Sequence, residues 1–162
     1  MSKFVPKGIC IHSMAEYIDD GENVYYAKDW LNRLGYSAHG LIRPNGTYDK
    51  MVSSKYKAKH AGVSKHGNLT GLNKYYLGLE VLVQGEHNYG TFKEAIKKEE
   101  TFFDCQYDLL VDVCKWWMDE YDIPKENIVR HSDVAGDGVR GPGKGKIDPG
   151  AGFRWEEFLN RI

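Results

Sequence analysis

Two short apolar runs end in the same pair of residues. Ile9-Cys10-Ile11 leads into His12-Ser13, and Ile128-Val129-Arg130 leads into His131-Ser132. Neutral imidazole is the commonest metal ligand in proteins. In open α/β sheets, ligand sites gather at the carboxyl ends of strands. If the two runs are neighbouring parallel strands, both rings project from one sheet edge. A third protein ligand would complete a catalytic zinc centre and leave the fourth position to water. The best candidate for it is Asp148, in Lys146-Ile147-Asp148-Pro149-Gly150. Side chains two apart in extended chain share a face, so Lys146 faces the same place, where a fixed cation stabilises a developing oxyanion. Plainer readings stand beside these. A histidine after a strand is more often a surface or hydrogen-bonded residue, and Asp-Pro-Gly is commonly only a turn. No H-E-x-x-H spacing is present, so spacing by itself is weak evidence for zinc.

Glu80 lies inside the apolar run Leu77-Gly78-Leu79-Glu80-Val81-Leu82. Carboxylates are seldom buried without a partner. Either Glu80 sits on a solvated face, or it lines a site with a raised pKa. Gly78, two residues earlier, leaves open space on the same face and favours the site.

The elements that must position these residues alternate along the chain. Gly8–His12 reads as a buried strand. Asn23–Leu34 carries Tyr26, Trp30, Leu31 and Leu34 at helical spacing and stops at Gly35. Ser37–Ile42 and Thr47–Val52 flank Pro44-Asn45-Gly46, a strong hairpin signal. Residues 53–74 read as a long loop, Tyr76–Val83 as a strand, and 85–90 as loop. Thr91 with Glu94 and Thr101 with Asp104 form candidate capping boxes. The second opens the clearest helix, where Phe103, Tyr107, Leu110, Cys114, Trp117 and Tyr121 form one stripe ending before Pro124. A strand at 127–131, a glycine-rich loop at 136–145 and a final helix from Phe153 complete the pattern. The expected fold class is α/β with a mixed central sheet flanked by helices.

The chain has 162 residues, and one domain over residues 1–162 is expected. Four Trp, 11 Tyr and 6 Phe argue against disorder. A formal net charge of −1 excludes a globally basic nucleic-acid binder. The three cysteines (Cys10, Cys105, Cys114) include no C-x-x-C pair, so neither a disulfide framework nor a cysteine zinc knuckle is indicated. A reduced compartment is the simpler expectation. No apolar run is long enough for a signal peptide or a membrane span. The expectation is therefore a protein made in the cytoplasm, without stable membrane association.

Several separated segments, in order, resemble the zinc-dependent N-acetylmuramoyl-L-alanine amidases that share the fold of peptidoglycan-recognition proteins. They are Ile9-Cys10-Ile11-His12, Ser37-Ala38-His39-Gly40-Leu41-Ile42 with Asn45-Gly46-Thr47, and His60-Ala61-Gly62-Val63-Ser64. Leu72-Asn73 with Leu77-Gly78-Leu79-Glu80, Gln106-Tyr107, His131-Ser132-Asp133 and Lys146-Ile147-Asp148-Pro149-Gly150 follow. Coverage runs from about Gly8 to Trp155. Each piece is weak alone; the ordered set is specific.

The resemblance implies Zn2+ held by His12, His131 and Asp148, with Glu80 and Lys146 as catalytic helpers. It implies substrate contacts from His39, His60 and Asn73. The reaction implied is hydrolysis of the amide between N-acetylmuramic acid and L-alanine in peptidoglycan or muropeptides. A related phage branch has a tyrosine before the hairpin histidine. Ala38 stands there in this chain, which places it nearer the branch with an aspartate third ligand and adds weight to Glu80.

His131 and Asp148 are 17 residues apart, longer than the compact form of the recycling enzymes. The added loop carries Asp137, Arg140 and Lys144, as a tolerated insertion or as a cleft wall. From Lys50 through Leu79 there is no acidic residue, but there are Lys50, Lys55, Lys57, Lys59, Lys65 and Lys74. That stretch is a solvated basic loop or an attractor of stem-peptide carboxylates.

The expected setting is a monomeric single-domain phage endolysin, released to the cell wall at lysis. The alternatives are a cytosolic amidase recycling anhydro-muropeptides, or a non-catalytic peptidoglycan-binding module of the same fold. A third possibility is an unrelated α/β enzyme with structural histidines. Retention of all three ligand positions favours an enzyme over the binding module.

Overall fold

The computed structural model describes residues 3–162. Its centre is strand β1 (Gly8–Asp19). β1 pairs in parallel along most of its length with β7 (Tyr76–His87), and its start pairs in parallel with β8 (Ile128–Arg130). β2 (Val24–Tyr26) folds back antiparallel on the far end of β1. On the other side β7 pairs in parallel with β3 (Gly40–Ile42), and β3 pairs antiparallel with β4 (Tyr48–Lys50). The result is a six-stranded mixed sheet, in line with the expected fold class. β5 (Lys65–His66) and β6 (Leu69–Thr70) form a separate two-stranded ribbon.

The two-residue period of a strand sorts the central side chains. Ile9 and Ile11 of β1, with Leu77, Leu79, Val81 and Val83 of β7, face one layer. Against them packs α3 (Asp104–Tyr121) through Tyr107, Leu110, Val111, Cys114 and Trp117. Phe103 and Tyr121, at the ends of the expected stripe, are half-buried. The even-numbered positions face the other way. Cys10 joins Ala61, Leu72, Tyr76, Val129 and Val134, and Leu82 joins Ala27, Leu31 and Leu41 under α1 (Ala27–Leu34). His12 and Glu80 lie on this second face.

Several boundaries depart from the sequence expectation. Residues 24–26 are strand rather than the start of a helix, because two tyrosines and a valine suit pairing with Tyr17–Asp19. α2 (Tyr89–Ala95) begins before Thr91, since the Asn88 side chain accepts the Thr91 N–H at 2.9 Å and so caps the helix. Thr101 does not cap α3, which starts after Phe103; the Gln106 side chain accepts the Phe103 N–H at 3.0 Å. The expected loop at 53–74 contains the β5–β6 ribbon and a short 3-10 turn at Leu72–Lys74. The glycine-rich loop contains the short helix α5 (Asp137–Arg140), and the chain closes on α6 (Trp155–Leu159).

His39 pins the hairpin to the sheet. Its ring is wholly buried, with Nε2 donating to the Tyr56 carbonyl at 2.8 Å and Nδ1 accepting the Gly78 N–H at 3.0 Å. Burial pushes this imidazole down to about 4. The unfolded chain therefore takes up a proton near 6.5 that the folded ring refuses. Stability owed to neutral His39 is complete above pH 6.5 and is lost as pH falls toward 4, by on the order of 3 kcal/mol. Urea unfolding at pH 7 and pH 4 should show a smaller acid loss for His39→Gln than for wild type. Equal losses would contradict this assignment.

Candidate active site

The parallel pairing of β1 with β7 sets His12 opposite Glu80, and the pairing with β8 sets Ile11 opposite Arg130. His131 is the next residue after β8 and begins the short helix α4 (His131–Val134). Both imidazoles thus stand at one sheet edge, 4.3 Å apart between ring centroids. The segment bearing Asp148 docks on the residues that follow each histidine. The Ser13 hydroxyl donates to the Pro149 carbonyl at 3.0 Å, and the Ser132 N–H donates to the Asp148 carbonyl at 3.0 Å. The shared His-Ser pairs therefore supply both the side chains of the cluster and the anchors for its third member.

Ring tautomers follow from the carbonyls behind the rings, since a carbonyl only accepts. His131 Nε2 lies 3.1 Å from the Ala61 carbonyl, so in the neutral ring the proton is there and Nδ1 is bare. His60 Nε2 lies 2.8 Å from the Tyr76 carbonyl and carries its proton. His60 Nδ1 is therefore an acceptor, and His12 Nε2, 2.9 Å away, must be the donor. His12 Nδ1 is then bare as well. Burial, reinforced by His131, pushes the His12 imidazole down to about 4, so the ring is neutral at pH 7.

Both bare nitrogens point at one carboxylate. Asp148 lies 3.3 Å from His12 Nδ1 and 3.1 Å from His131 Nδ1. Burial pushes the Asp148 carboxyl up; positive charge and hydrogen bonds from the imidazoles outweigh it and hold the group well below the usual carboxylate range, and with both rings neutral a bound cation would take over that role. With both rings neutral, two bare nitrogens and a carboxylate face one another, and these three acceptors make a site for a cation. The ligand atoms of His12, His131 and Asp148 all lie within 4.8 Å of one another.

Cys10, His12 and His60 form a second such group among the described residues. It is a poorer fit. Cys10 is fully buried and its thiol is pushed far up by that burial, while both nitrogens of His60 are already hydrogen-bonded. Cys105 is exposed and Cys114 lies in the α3 packing face.

Glu80 is almost buried, and its Oε2 has no hydrogen-bond partner among the described residues. Burial pushes its carboxyl well above the ordinary range; Asp148 adds to this and Lys146 opposes it. His12, Glu80, His131, Lys146 and Asp148 together line one cleft of about 880 Å³. Lys59 and Arg140 also line it, as do Asp19 and Asp20.

The residues expected to touch substrate divide. Asn73 and His60 line the cleft, whereas His39 lies beneath it with both nitrogens engaged by backbone. Asn73 Oδ1 accepts the N–H groups of His60 and Ala61, at 3.0 and 2.7 Å. The space expected beside Gly78 is filled: a Cβ there would collide with the His60 ring. Sequence reasoning missed Ser13 and Ser132 as anchors, although the repeated His-Ser pair was the available signal.

Three side chains able to hold a cation, at the carboxyl edge of a mixed sheet beside a buried carboxyl and a lysine, form a candidate hydrolase centre. The chain belongs to the N-acetylmuramoyl-L-alanine amidase family, whose model matches residues 2–151. It is 32% identical over 146 residues to the 1,6-anhydro-N-acetylmuramyl-L-alanine amidase AmpD of Haemophilus influenzae, covering 90% of this chain and 67% of that protein. A crystal structure of a selenomethionine AmpD derivative superposes with a TM-score of 0.71 at 24% identity, over 98% of this chain and 85% of that one. The Escherichia coli amidase AmiD, in complex with anhydro-N-acetylmuramic acid-L-Ala-D-γ-Glu-L-Lys, gives a TM-score of 0.66 at 25% identity, over 96% of this chain and 57% of that one. The chain spans about two thirds of the length of the AmpD proteins it matches. Among the described residues no helix is long and apolar enough to cross a membrane.

The acceptor-only cluster makes a distinctive prediction. Asp148→Asn places an amide donor before two bare nitrogens and removes the negative charge. Metal analysis and calorimetry should find stoichiometric zinc lost while the melting temperature of the metal-free protein stays level or rises. A variant that keeps zinc, or melts well below metal-free wild type, would contradict the assignment.

Proposed function

We propose that this protein is a zinc-dependent amidase that hydrolyses the bond between the lactyl group of 1,6-anhydro-N-acetylmuramic acid and L-alanine. The observation that carries this reading is the close cluster of His12, His131 and Asp148, its ligand atoms all within 4.8 Å of one another, beside a buried Glu80. Bound by those three side chains, zinc supplies Lewis acidity for attack of water on an amide. Glu80 is the proton carrier. Its raised proton affinity suits it to accept a proton from the attacking water and to deliver one to the alanine nitrogen as the C–N bond breaks. One water is consumed, and a carboxylic acid and an amine are released. Lys146, on the same cleft, is the fixed cation for the developing oxyanion.

The expected setting as an endolysin gives way to the recycling alternative. The AmpD relatives at 30% to 32% identity carry the name 1,6-anhydro-N-acetylmuramyl-L-alanine amidase, and the AmiD structure is a complex with anhydro-N-acetylmuramic acid-L-Ala-D-γ-Glu-L-Lys. Lys59, Arg140 and Lys146 in the cleft lining offer cations to a peptide carboxylate, alongside the acidic Asp19 and Asp20. Of the acid-free lysine stretch, Lys59 is the lysine that reaches it.

Two measurements test the proposal. Glu80→Gln should bind zinc as wild type does and lose about 10²–10⁴-fold in kcat; turnover near the wild-type rate would remove Glu80 from the mechanism. Purified protein should release peptide from soluble anhydro-muropeptides much faster than from intact sacculi, followed by mass spectrometry. Equal or faster clearance of sacculi would overturn the anhydro-muropeptide reading.

A further inference from the structure

Two consecutive residues stand behind both candidate metal ligands. The His60 ring takes the proton side of His12, and the Ala61 carbonyl takes the proton side of His131. We infer that residues 60–61 are a tautomer lock that turns Nδ1 of both histidines toward the metal, and that Arg140 latches it. This inference rests on the metal site proposed above.

The lock is built rather than incidental. The His60 ring is fixed from behind by the Tyr76 carbonyl, and its own backbone N–H is held by Asn73 Oδ1. Asn73 also holds the Ala61 N–H, so one side chain fixes the peptide groups of both lock residues. The glycine at 78 admits the His60 ring, since any Cβ would collide with it. Ligating histidines generally need their second nitrogen hydrogen-bonded to set tautomer and orientation, and losing such a partner costs about 10–100-fold in metal affinity.

Arg140 gives the long loop between His131 and Asp148 a role. Its Nη2 donates to the Ala61 carbonyl at 2.9 Å and its Nε to the Val63 carbonyl at 3.0 Å. The Ala61 oxygen therefore uses its two lone pairs for His131 and Arg140 together. The loop is itself braced. The Asp137 carboxylate accepts the Gly145 N–H at 2.8 Å and the Gly143 N–H at 3.2 Å, and the Lys146 N–H closes onto the Ala135 carbonyl at 2.8 Å. Gly62 leaves room for the guanidinium, which a Cβ there would meet at 2.8 Å. His60 and Arg140 are thus positioning residues, acting on the metal through its ligands.

The test uses the whole chain with His60→Phe, His60→Asn and Arg140→Gln. In metal-free wild type at neutral pH, long-range nitrogen–proton NMR should place the ring protons of His12 and His131 on Nε2. His60→Phe should populate the Nδ1–H form of His12 and weaken zinc about 10–100-fold in a chelator competition. His60→Asn, which keeps an acceptor near the position of Nδ1, should recover most of that affinity. Arg140→Gln should weaken zinc and speed amide exchange in residues 60–64 while leaving the His12 tautomer unchanged. Wild-type zinc affinity in His60→Phe, or Nδ1–H on His12 in wild type, would overturn the lock. A thiolate-to-cobalt band in the cobalt-loaded protein would make Cys10 and His60 ligands and would overturn it too. A wild-type protein that takes up neither metal would sink the proposed function, and the metal-free spectra would still decide the lock.

Discussion

Everything at the site depends on the parallel alignment of β1 with β7 and β8. A strand presents side chains to its two faces in strict alternation, and register fixes which residues become neighbours. With Ile11 against Leu79 and Arg130, His12 falls beside Glu80 and one step from His131. A slip of one residue in β1 would turn His12 into the apolar layer under α3 and expose Ile11. The burial of Ile9, Ile11, Leu77 and Leu79 therefore does more than stabilise the sheet. It sets the coordinates of the chemistry on the opposite face.

The site that results is held in an electrically demanding state. Asp148 faces two imidazoles that hold its carboxyl low, and Glu80 lies beside His12 on the same face with a carboxyl that burial pushes up. Such an arrangement is unfavourable without a cation and without rigid anchors. The anchors are polar bonds from the backbone and side chains just past each histidine. Ser13 in β1 and Ser132 in α4, just past β8, clasp the Asp148–Pro149 segment, so the place of Asp148 follows from the pairing of β1 with β8.

The loops contribute support more than contact. His39 and Asn73, both expected at the substrate, spend their hydrogen bonds on backbone: His39 on Tyr56 and Gly78, Asn73 on His60 and Ala61. Gly78 exists as space for an imidazole rather than for a ligand. The longer loop after His131 reaches back through Arg140 to the same 60–64 segment. A single loop thereby connects two distant stretches of chain to both histidines.

Much was legible in the sequence because it depends on local pattern. The apolar run of β7, the Asn-Gly hairpin and the α3 stripe needed only neighbouring residues to recognise, and the ordered His, Glu, His and Lys-x-Asp positions stood out through resemblance to a known family. The boundaries of β2 and α2, and the capping of α3, were settled by pairing and by side chains that local propensity does not weigh. Tertiary structure alone decided which nitrogen each histidine turns to the cleft, that His39 lies beneath it, and that Arg140 meets Ala61. Those facts rest on partners tens of residues apart, such as His60 with His12 and Arg140 with Ala61, and only the packed sheet and its loops bring such groups within hydrogen-bonding distance.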